Sequence, residues 1–472
     1  MRTILWSVAA GVLAGAVYAV SPLTVWTLAL AFAVFQLAGF GLPASETRAL
    51  KIILSAALLV RLVAIAGLFL VNTPRHDDGA VSMLSGDEAY SMTRALRTRD
   101  VVLGVATTQY DYFVAYDEYG NNSYISRLTA LQLMFGPTPY SMRLLNSVLF
   151  MIGAVLLFRI ARAGFGPLPA TGGLIVMLFV PTLFLWSISL LKEPLYLMGS
   201  TLVLSGALGA VRARTWIHRA AAAAVLTAGL LVIRDLRPGA IALAALGLGC
   251  GLASVWATSN IRRFSLTVVA GLMVIGLGLS QPSVQQRVMA GLVAAAKTHS
   301  GHVFTVGHAY KLLDEGFYFT PQPPIASTLT LTAGQAARFV IRGVISFFTV
   351  PWPWQFVSAR ELAYLPEQML WYALIVLLPI GVVAGWRRDT LVTCMLVGYV
   401  VPTAAALAFT NGNVGTLLRL RGTVTPYLIW PSVVGFCATL QRLTATTGRP
   451  AKSGRDEQAG ELGRVDEAGR AE

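Results

Sequence analysis

The sequence carries little charge for its length, which limits the classes of protein to which it can belong. Only 12% of its 472 residues are charged, 56% are hydrophobic, and the mean hydropathy is +0.66. Soluble domains are about 25% charged, so this composition excludes an ordinary soluble protein. Cysteine is also scarce: Cys250, Cys394 and Cys437 lie in apolar runs without metal-ligand spacing, which argues against a disulfide framework.

Several common functional patterns are missing as well. The sequence has no glycine-rich loop of the nucleotide-binding type and no internal repeat of fixed period. Its net charge of +14 comes from 36 Lys and Arg against 22 Asp and Glu. Because no contiguous basic face exists outside the apolar runs, we expect no nucleic-acid partner. The excess is assigned to cytoplasmic turns beside anionic membrane lipids.

What the sequence does have is a series of apolar runs of about 20 residues, each long enough to cross a hydrocarbon layer of roughly 30 Å. The predicted fold class is therefore an all-α polytopic membrane bundle of about twelve helices. The spans are expected at residues 3–20, 24–41, 50–71, 143–161, 169–190, 194–211, 218–234, 238–257, 264–280, 366–386, 390–410 and 424–441. Only Ser21-Pro22 separates the first two, which favours a retained helical hairpin over a signal peptide cleaved after Ala19.

Lys and Arg fall in alternate turns of this arrangement, and the positive-inside rule then predicts its orientation. The cytoplasmic turns would carry Arg48/Lys51, Arg159/Arg162, Arg212/Arg214/Arg219, Arg262/Arg263 and Arg387/Arg388. Both termini are then cytoplasmic, and segments 72–142 and 281–365 are extracytoplasmic loops. We assign 1–442 to one membrane domain and 443–472 to a disordered tail. Interfacial helices are expected in the loops, one of them the amphipathic stretch 336–350.

Five cations break this rule, because they lie at the predicted outer ends of spans, in three separate turns. They are Lys192, Arg234, Arg237, Arg419 and Arg421. Snorkelling of single side chains to phospholipid headgroups explains one or two such positions. Three cationic turns on one side instead indicate a site for a phosphate group at the outer membrane surface.

The first outer loop carries an acidic pair, Asp87 and Glu88, just before a helix-compatible run over residues 89–99. One interpretation is that the pair caps this helix. The other is that one carboxylate serves as a general base. Neighbouring helical residues point about 100° apart, so only one of them can serve, and we favour Asp87. Two other acidic pairs compete for this role, Asp77/Asp78 and Asp117/Glu118.

Other polar residues complete the candidate site. Arg61 lies in mid-span, where a charge costs about 2.5–3.5 kcal/mol. We expect it to pair with a carboxylate or a backbone carbonyl inside the bundle, in a structural or a catalytic role. The residues expected to support the site are Tyr90, Arg94 and Arg143. His299 and His302 have a spacing that suits a metal, but no neighbouring ligand completes the set. We predict a site without cofactor, with a divalent metal as the open alternative.

Motifs in chain order resemble a known family. An arginine-bearing span precedes the Asp87-Glu88 loop, which is followed by 136–146 (GPTPYSMRLLN), 186–193 (WSISLLKE) and 413–416 (NVGT). Together they resemble the GT-C superfamily of membrane glycosyltransferases. The similar branch contains protein O-mannosyltransferases, aminoarabinose transferases and rhizobial lipopolysaccharide glycosyltransferases. The resemblance covers residues 50–440, and the two further spans that precede the acidic loop depart from the family pattern.

The resemblance implies an activity and roles for the candidate residues. Asp87 or Glu88 would be the catalytic base, and the outer cations would hold the phosphate of a lipid carrier. The implied enzyme lies in a bacterial inner membrane and moves a sugar, with inversion, from a polyprenyl-phosphate carrier to a cell-envelope glycan, lipid or protein. Two alternatives stay open. One is a polymerase or ligase that uses polyprenyl-diphosphate glycans. The other is a transporter or flippase for lipid-linked sugars, for which the sequence shows neither an inverted repeat nor discontinuous helices.

Overall fold

A computed structural model gives the fold and describes residues 7, 11–12, 15–72, 86–105, 107–117, 122–237, 239–305, 307–319, 330–355, 362 and 364–447. These residues form helices and no β-strand, with one isolated bridge between Ala309 and Asn413. The all-α class predicted from the apolar runs is confirmed for them. Half of the first predicted span, the Asp77/Asp78 pair and the predicted tail beyond residue 447 lie outside the described residues.

The helices follow one another with short connections. The first half of the chain contains α1 (Pro22–Ala38), α2 (Ala44–Asn72), α3 (Gly86–Val102), α4 (Gln109–Tyr116), α5 (Ser123–Phe135), α6 (Pro139–Phe165), α7 (Pro167–Phe179), α8 (Pro181–Ser187) and α9 (Glu193–Arg212). The second half contains α10 (Trp216–Ile233), α11 (Ala240–Thr258), α12 (Ile261–Ser280), α13 (Pro282–Val303), α14 (Glu315–Phe319), α15 (Ala333–Thr349), α16 (Leu365–Arg388), α17 (Thr390–Thr410), α18 (Val414–Arg421) and α19 (Thr425–Thr447).

Several of these helices are long and apolar enough to cross a membrane. Eight qualify in the described part of the chain: α2, α6, α9, α10, α11, α12, α16 and α17. Two bent pairs qualify together, α7 with α8 and α18 with α19, and raise the number to ten if each pair is one span. These helices suit an integral membrane protein. The larger number of about twelve spans stays a prediction.

The bends correct one expectation from the sequence, which showed no discontinuous helix. The axis turns by 66° between α7 and α8 and by 67° between α18 and α19. At the first bend, Pro181 starts α8 and has no N–H to donate. At the second bend, Gly422 and Thr423 follow the last residue of α18. An apolar run with such a break reads as one span in the sequence, although its backbone changes direction.

Two side chains satisfy the backbone groups that the first bend separates. In a continuous helix the Thr182 N–H would donate to the Leu178 carbonyl. Here the Thr182 N–H donates to Glu367 Oε2 (3.0 Å), and Arg61 Nη2 donates to the Leu178 carbonyl (2.9 Å). Arg61 also donates to Ser187 Oγ and is fully buried. The expectation that Arg61 faces the interior and pairs with a carbonyl agrees with these contacts.

The bundle is centred on α6 and α9, which are mostly buried, whereas α10 and α12 lie at its periphery. Close backbone contact joins α16 to α19: a Cβ atom on Gly381 would lie 1.7 Å from the Pro431 carbonyl oxygen. Small residues at such crossings let the helix backbones approach closely. In lipid this close packing is important, because the hydrophobic effect does not drive apolar helices together there.

Four of the five predicted cytoplasmic turns meet at one end of the bundle, which we call the basic end. Arg162 pairs with Glu46 (Nε–Oε2 2.7 Å), Arg388 donates to the Phe165 carbonyl, and Arg212 pairs with Asp389. Because α6 rises 1.5 Å per residue, its Arg143 lies about 28 Å along the helix from Arg162. Arg143 therefore marks the opposite end, and the segments predicted as outer loops attach there. Both contain helices, α3–α5 and α13–α15; their interfacial position stays a prediction.

Candidate functional site

The site is organised around a non-helical segment, residues 188–192, between α8 and α9. Asn146 of α6 donates through Nδ2 to the carbonyls of Ser189 (2.7 Å) and Leu191 (2.9 Å). Ser147 donates to the Ser187 carbonyl (2.9 Å). Backbone polar groups need such partners where water is excluded. The polar face of α6 thereby fixes the loop that leads into Lys192.

A buried ion pair attaches α3 to this loop. Glu88 Oε1 lies 2.8 Å from Arg143 Nη2, and neither side chain is exposed. The same oxygen accepts the N–H of Leu190 (2.7 Å). Glu88 thus binds α6 and the loop at once. A buried carboxylate persists only when it is paired and hydrogen-bonded, and Glu88 satisfies both conditions.

Asp87 faces a different environment from its neighbour. Its side chain is 58% exposed and forms an ion pair with Arg419 of α18. The two acidic residues diverge, as expected for adjacent positions of a helix. Both residues lie in the first turn of α3, where the capping interpretation expects them. The hydrogen bond from the Leu190 N–H adds a contact of Glu88 to another segment of the chain. Of the pair, Asp87 is the accessible carboxylate.

Two more cations adjoin the Asp87–Arg419 pair. Arg237 Nη2 lies 2.7 Å from Oε1 of the buried Glu193. Lys192, the residue before Glu193, is half-buried. Burial, followed by the charges of Arg237 and Arg419, lowers the pKa of its ammonium group. Within the described part of the chain, the side chain of Lys192 forms no hydrogen bond or ion pair. We call Asp87, Lys192, Glu193, Arg237 and Arg419 the charged cluster.

The remaining two cations of the predicted phosphate site lie apart from this cluster. Arg421 is buried, donates to the carbonyls of Ser346 (3.3 Å) and Phe347, and stacks over Trp371 at 4.9 Å. Arg234 is 66% exposed and pairs with Asp235 (Nε–Oδ2 3.2 Å). Of the five predicted cations, the structure brings together Lys192, Arg237 and Arg419.

The supporting residues have identifiable structural partners. Arg143 holds Glu88, and Arg61 holds the α7–α8 bend. Arg94 is buried in α3 and donates to Tyr90 Oη (2.5 Å) and to the Asp117 carbonyl. Through the second bond it connects α3 to the end of α4. Asp117, a competing candidate for the base, therefore enters this contact through its backbone; Glu118 lies outside the described residues.

The histidines of the second loop bind backbone rather than each other. The Nδ1 atoms of His299 and His302 hydrogen-bond the carbonyls of Asn411 and Thr410, at the end of α17. Burial lowers the pKa of His299 to about 4. No group of three His, Cys, Asp or Glu side chains in the described residues could hold a metal ion. All three cysteines are free.

Sequence reasoning missed several residues that shape this site. The sequence prediction assigns no role to Glu193, although it is the partner of Arg237. Asn146, Ser147 and Glu367 were given no role, yet they bind the loop and the bend. The available signal was a polar side chain inside or at the edge of an apolar run, which is costly in a membrane and needs a partner.

Comparison with known proteins gives no match: no family model, no curated protein and no solved structure is significantly similar to the chain.

Proposed function

We propose that this chain is an integral-membrane glycosyltransferase of the GT-C kind. It would move a sugar from a polyprenyl-phosphate carrier to a cell-envelope acceptor on the extracytoplasmic side. The observation that carries the proposal is the charged cluster, in which one accessible carboxylate, Asp87, is paired with Arg419 beside the half-buried Lys192. The cluster lies at the end of the bundle opposite the basic end, where the predicted orientation places the outer surface.

The charge balance of the cluster suits a donor with a single negative charge. Three cations, Lys192, Arg237 and Arg419, stand against two carboxylates, Asp87 and Glu193, so one positive charge is in excess. A sugar phosphodiester carries one negative charge, whereas a diphosphate carries at least two. The balance therefore supports a polyprenyl-monophosphate donor over the diphosphate glycans that a polymerase or ligase would use.

The proposed reaction uses the Asp87–Arg419 pair as its resting state. The donor phosphate would take Arg419 and Lys192 as partners and so release the carboxylate of Asp87. Asp87 would then accept the proton of an acceptor hydroxyl as its oxygen attacks the anomeric carbon. The bond from that carbon to the phosphate oxygen breaks, and polyprenyl phosphate leaves with the electron pair. The cations stabilise the departing charge, and no nucleotide or metal is required by this sequence of steps.

Glu88 has a positioning role in this proposal. Its pair with Arg143 and its hydrogen bond from Leu190 fix the first turn of α3 against the loop that ends at Lys192. Asp87 and Lys192 therefore lie next to residues whose positions are fixed by these contacts. Holding catalytic groups in a fixed geometry contributes to rate through proximity and electrostatic preorganisation.

A transporter for lipid-linked sugars is the second candidate, because discontinuous helices line substrate sites in many transporters. Both bent pairs, α7–α8 and α18–α19, contribute to this site: α8 leads into the 188–192 loop and α18 carries Arg419. The transporter would move a lipid-linked sugar and leave its glycosidic bond intact.

Proteoliposomes that contain purified protein and a panel of polyprenyl-phosphate hexoses and pentoses separate the two functions. A transferase releases polyprenyl phosphate and forms a new glycosidic product with an extract of cell-envelope acceptors. Saturable movement of the lipid between leaflets, with no product and no released polyprenyl phosphate, would replace the transferase by the transporter.

A further inference from the structure

A cleft lies between α8, α16 and the α18–α19 bend, on the face of α18 that carries Arg421. A water-sized group can occupy about 30 Å³ of it, and the wider empty space of about 420 Å³ includes the part that is open to the surroundings. Most of its wall is apolar, with Leu183, Leu370, Leu374 and Leu418 among the lining residues. Glu367, Gln368 and Arg421 bring polar groups into this apolar wall.

The polar groups of the cleft are incompletely satisfied by the chain. Gln368 is 2% exposed and Arg421 is 3% exposed. Gln368 Oε1 accepts Arg421 Nη1 (3.4 Å), but Gln368 Nε2 and Arg421 Nε have no partner among the described residues. Glu367 uses one oxygen for the Thr182 N–H. A buried donor without a partner costs about 1–3 kcal/mol, so a group that enters the cleft and accepts a hydrogen bond there would be stabilised.

The arrangement selects the chemistry of that ligand. An anion would meet the carboxylate of Glu367, and a cation would meet the guanidinium of Arg421. A hydroxyl group is uncharged and can accept from Gln368 Nε2 while it donates to Glu367. The apolar wall suits an aliphatic chain attached to that hydroxyl. We propose that the cleft binds the hydroxyl end of an uncharged lipid alcohol, separately from the charged cluster.

Native mass spectrometry of the purified full chain tests this inference by titration with dioleoylglycerol, and in a second series with undecaprenol. The wild type is expected to bind one of the two alcohols. Gln368→Leu keeps the size of the side chain but removes the amide, and one lost hydrogen bond of about 1 kcal/mol corresponds to about fivefold weaker binding. Gln441→Leu makes the same change on α19, where Gln441 is exposed, and is expected to leave binding unchanged.

Two further binding measurements, one with an altered ligand and one with a second variant, complete the test. The methyl ether of the alcohol that binds cannot donate to Glu367, and it is expected to bind more weakly than the alcohol. If Gln368→Leu does not fold, Leu370→Phe narrows the cleft without touching its polar groups and is expected to reduce binding as well. Absence of binding for both alcohols, or equal binding by wild type and the cleft variants, would overturn the proposal and leave ordered water as the partner of these groups.

Discussion

Glu88 and Arg143 form an ion pair, 2.8 Å from Oε1 to Nη2, in which neither side chain is exposed. Glu88 Oε1 also accepts the N–H of Leu190, so the pair joins α3, α6 and the loop before Lys192. Asp87, one residue earlier, is accessible and bound to Arg419. The two acidic residues therefore differ: Glu88 joins three segments inside the bundle, and Asp87 is accessible from outside.

Loss of the Glu88 charge should destabilise the protein strongly. Glu88→Gln would leave Arg143 buried without a counter-ion, a change that costs about 3–5 kcal/mol. The matched control is Glu46→Gln, which breaks the partly exposed pair with Arg162 and is expected to destabilise the protein much less. Thermal unfolding in detergent measures both. Equal losses for the two variants would contradict the structural role of Glu88.

Arg419 and Arg421 should behave differently although they are two residues apart. Arg421→Met removes the donor to the Phe347 carbonyl and one of the two donors to the Ser346 carbonyl, and is expected to cost about 2–5 kcal/mol of stability. Arg419→Met removes a partly exposed ion pair and is expected to cost about 1 kcal/mol or less, but to weaken donor binding. Unfolding and donor-binding assays on both variants test this contrast; a reversed pattern would refute it.

Lys192 should lower stability while it supports binding. Its pKa is depressed by burial and by neighbouring cations, so the folded protein binds this proton less tightly than the unfolded chain. Lys192→Met is therefore expected to unfold at a higher temperature than wild type at neutral pH. The difference should shrink as pH rises through the folded pKa, where wild type loses the charge. Donor affinity is expected to fall about 10- to 100-fold, the loss of one charged hydrogen bond. Unchanged affinity would exclude Lys192 from the donor site.

His299 should make stability sensitive to acid. Because its pKa is depressed to about 4, the unfolded chain takes up this proton first as pH falls. Stability is therefore lost between about pH 6.5 and 4, by up to about 3 kcal/mol from this residue. His299→Gln can still donate to the Asn411 carbonyl and is expected to flatten that part of the profile. Denaturant unfolding of both proteins across this pH range is the measurement. If the stability of the two proteins falls in parallel with pH, His299 is not the group responsible for the loss.

Much of the fold could be predicted from the sequence, because apolar length and Lys/Arg placement are local properties. The run 390–410 predicted as a span is the helix Thr390–Thr410. The bends could not be predicted in this way. A proline such as Pro181 can start, kink or end a helix, and the outcome depends on which side chains bind the backbone N–H and carbonyl groups that lose their helical partners. Here Arg61 and Glu367 do so, and they come from distant parts of the chain.

For the candidate site, the sequence predicts which residues take part but not which of them are in contact. The position of five cations at span ends was visible in the sequence, but which of them meet depends on packing. Arg419 and Arg421 point about 200° apart on one helix. Which of them reaches Asp87 therefore depends on which face of α18 is turned towards α3. The pairing of Arg237 with Glu193 likewise depends on how α9 packs against the segment after α10. The roles proposed for these residues stay predictions.

The proposal depends most directly on Asp87 as the base. The measurement is product formation by purified protein with polyprenyl-phosphate sugar donors, comparing wild type with Asp87→Asn. The amide retains the size of the side chain and a hydrogen-bond acceptor for Arg419 but cannot take up a proton at neutral pH. The control is Asp100→Asn on the same helix, where Asp100 pairs with Arg99 away from the cluster.

We predict that Asp87→Asn lowers turnover by about 10²- to 10⁴-fold, the contribution of one general base. Donor binding and thermal stability should stay close to wild type, and Asp100→Asn should turn over normally. Full turnover by Asp87→Asn, with donor bound and the protein folded, would contradict the account.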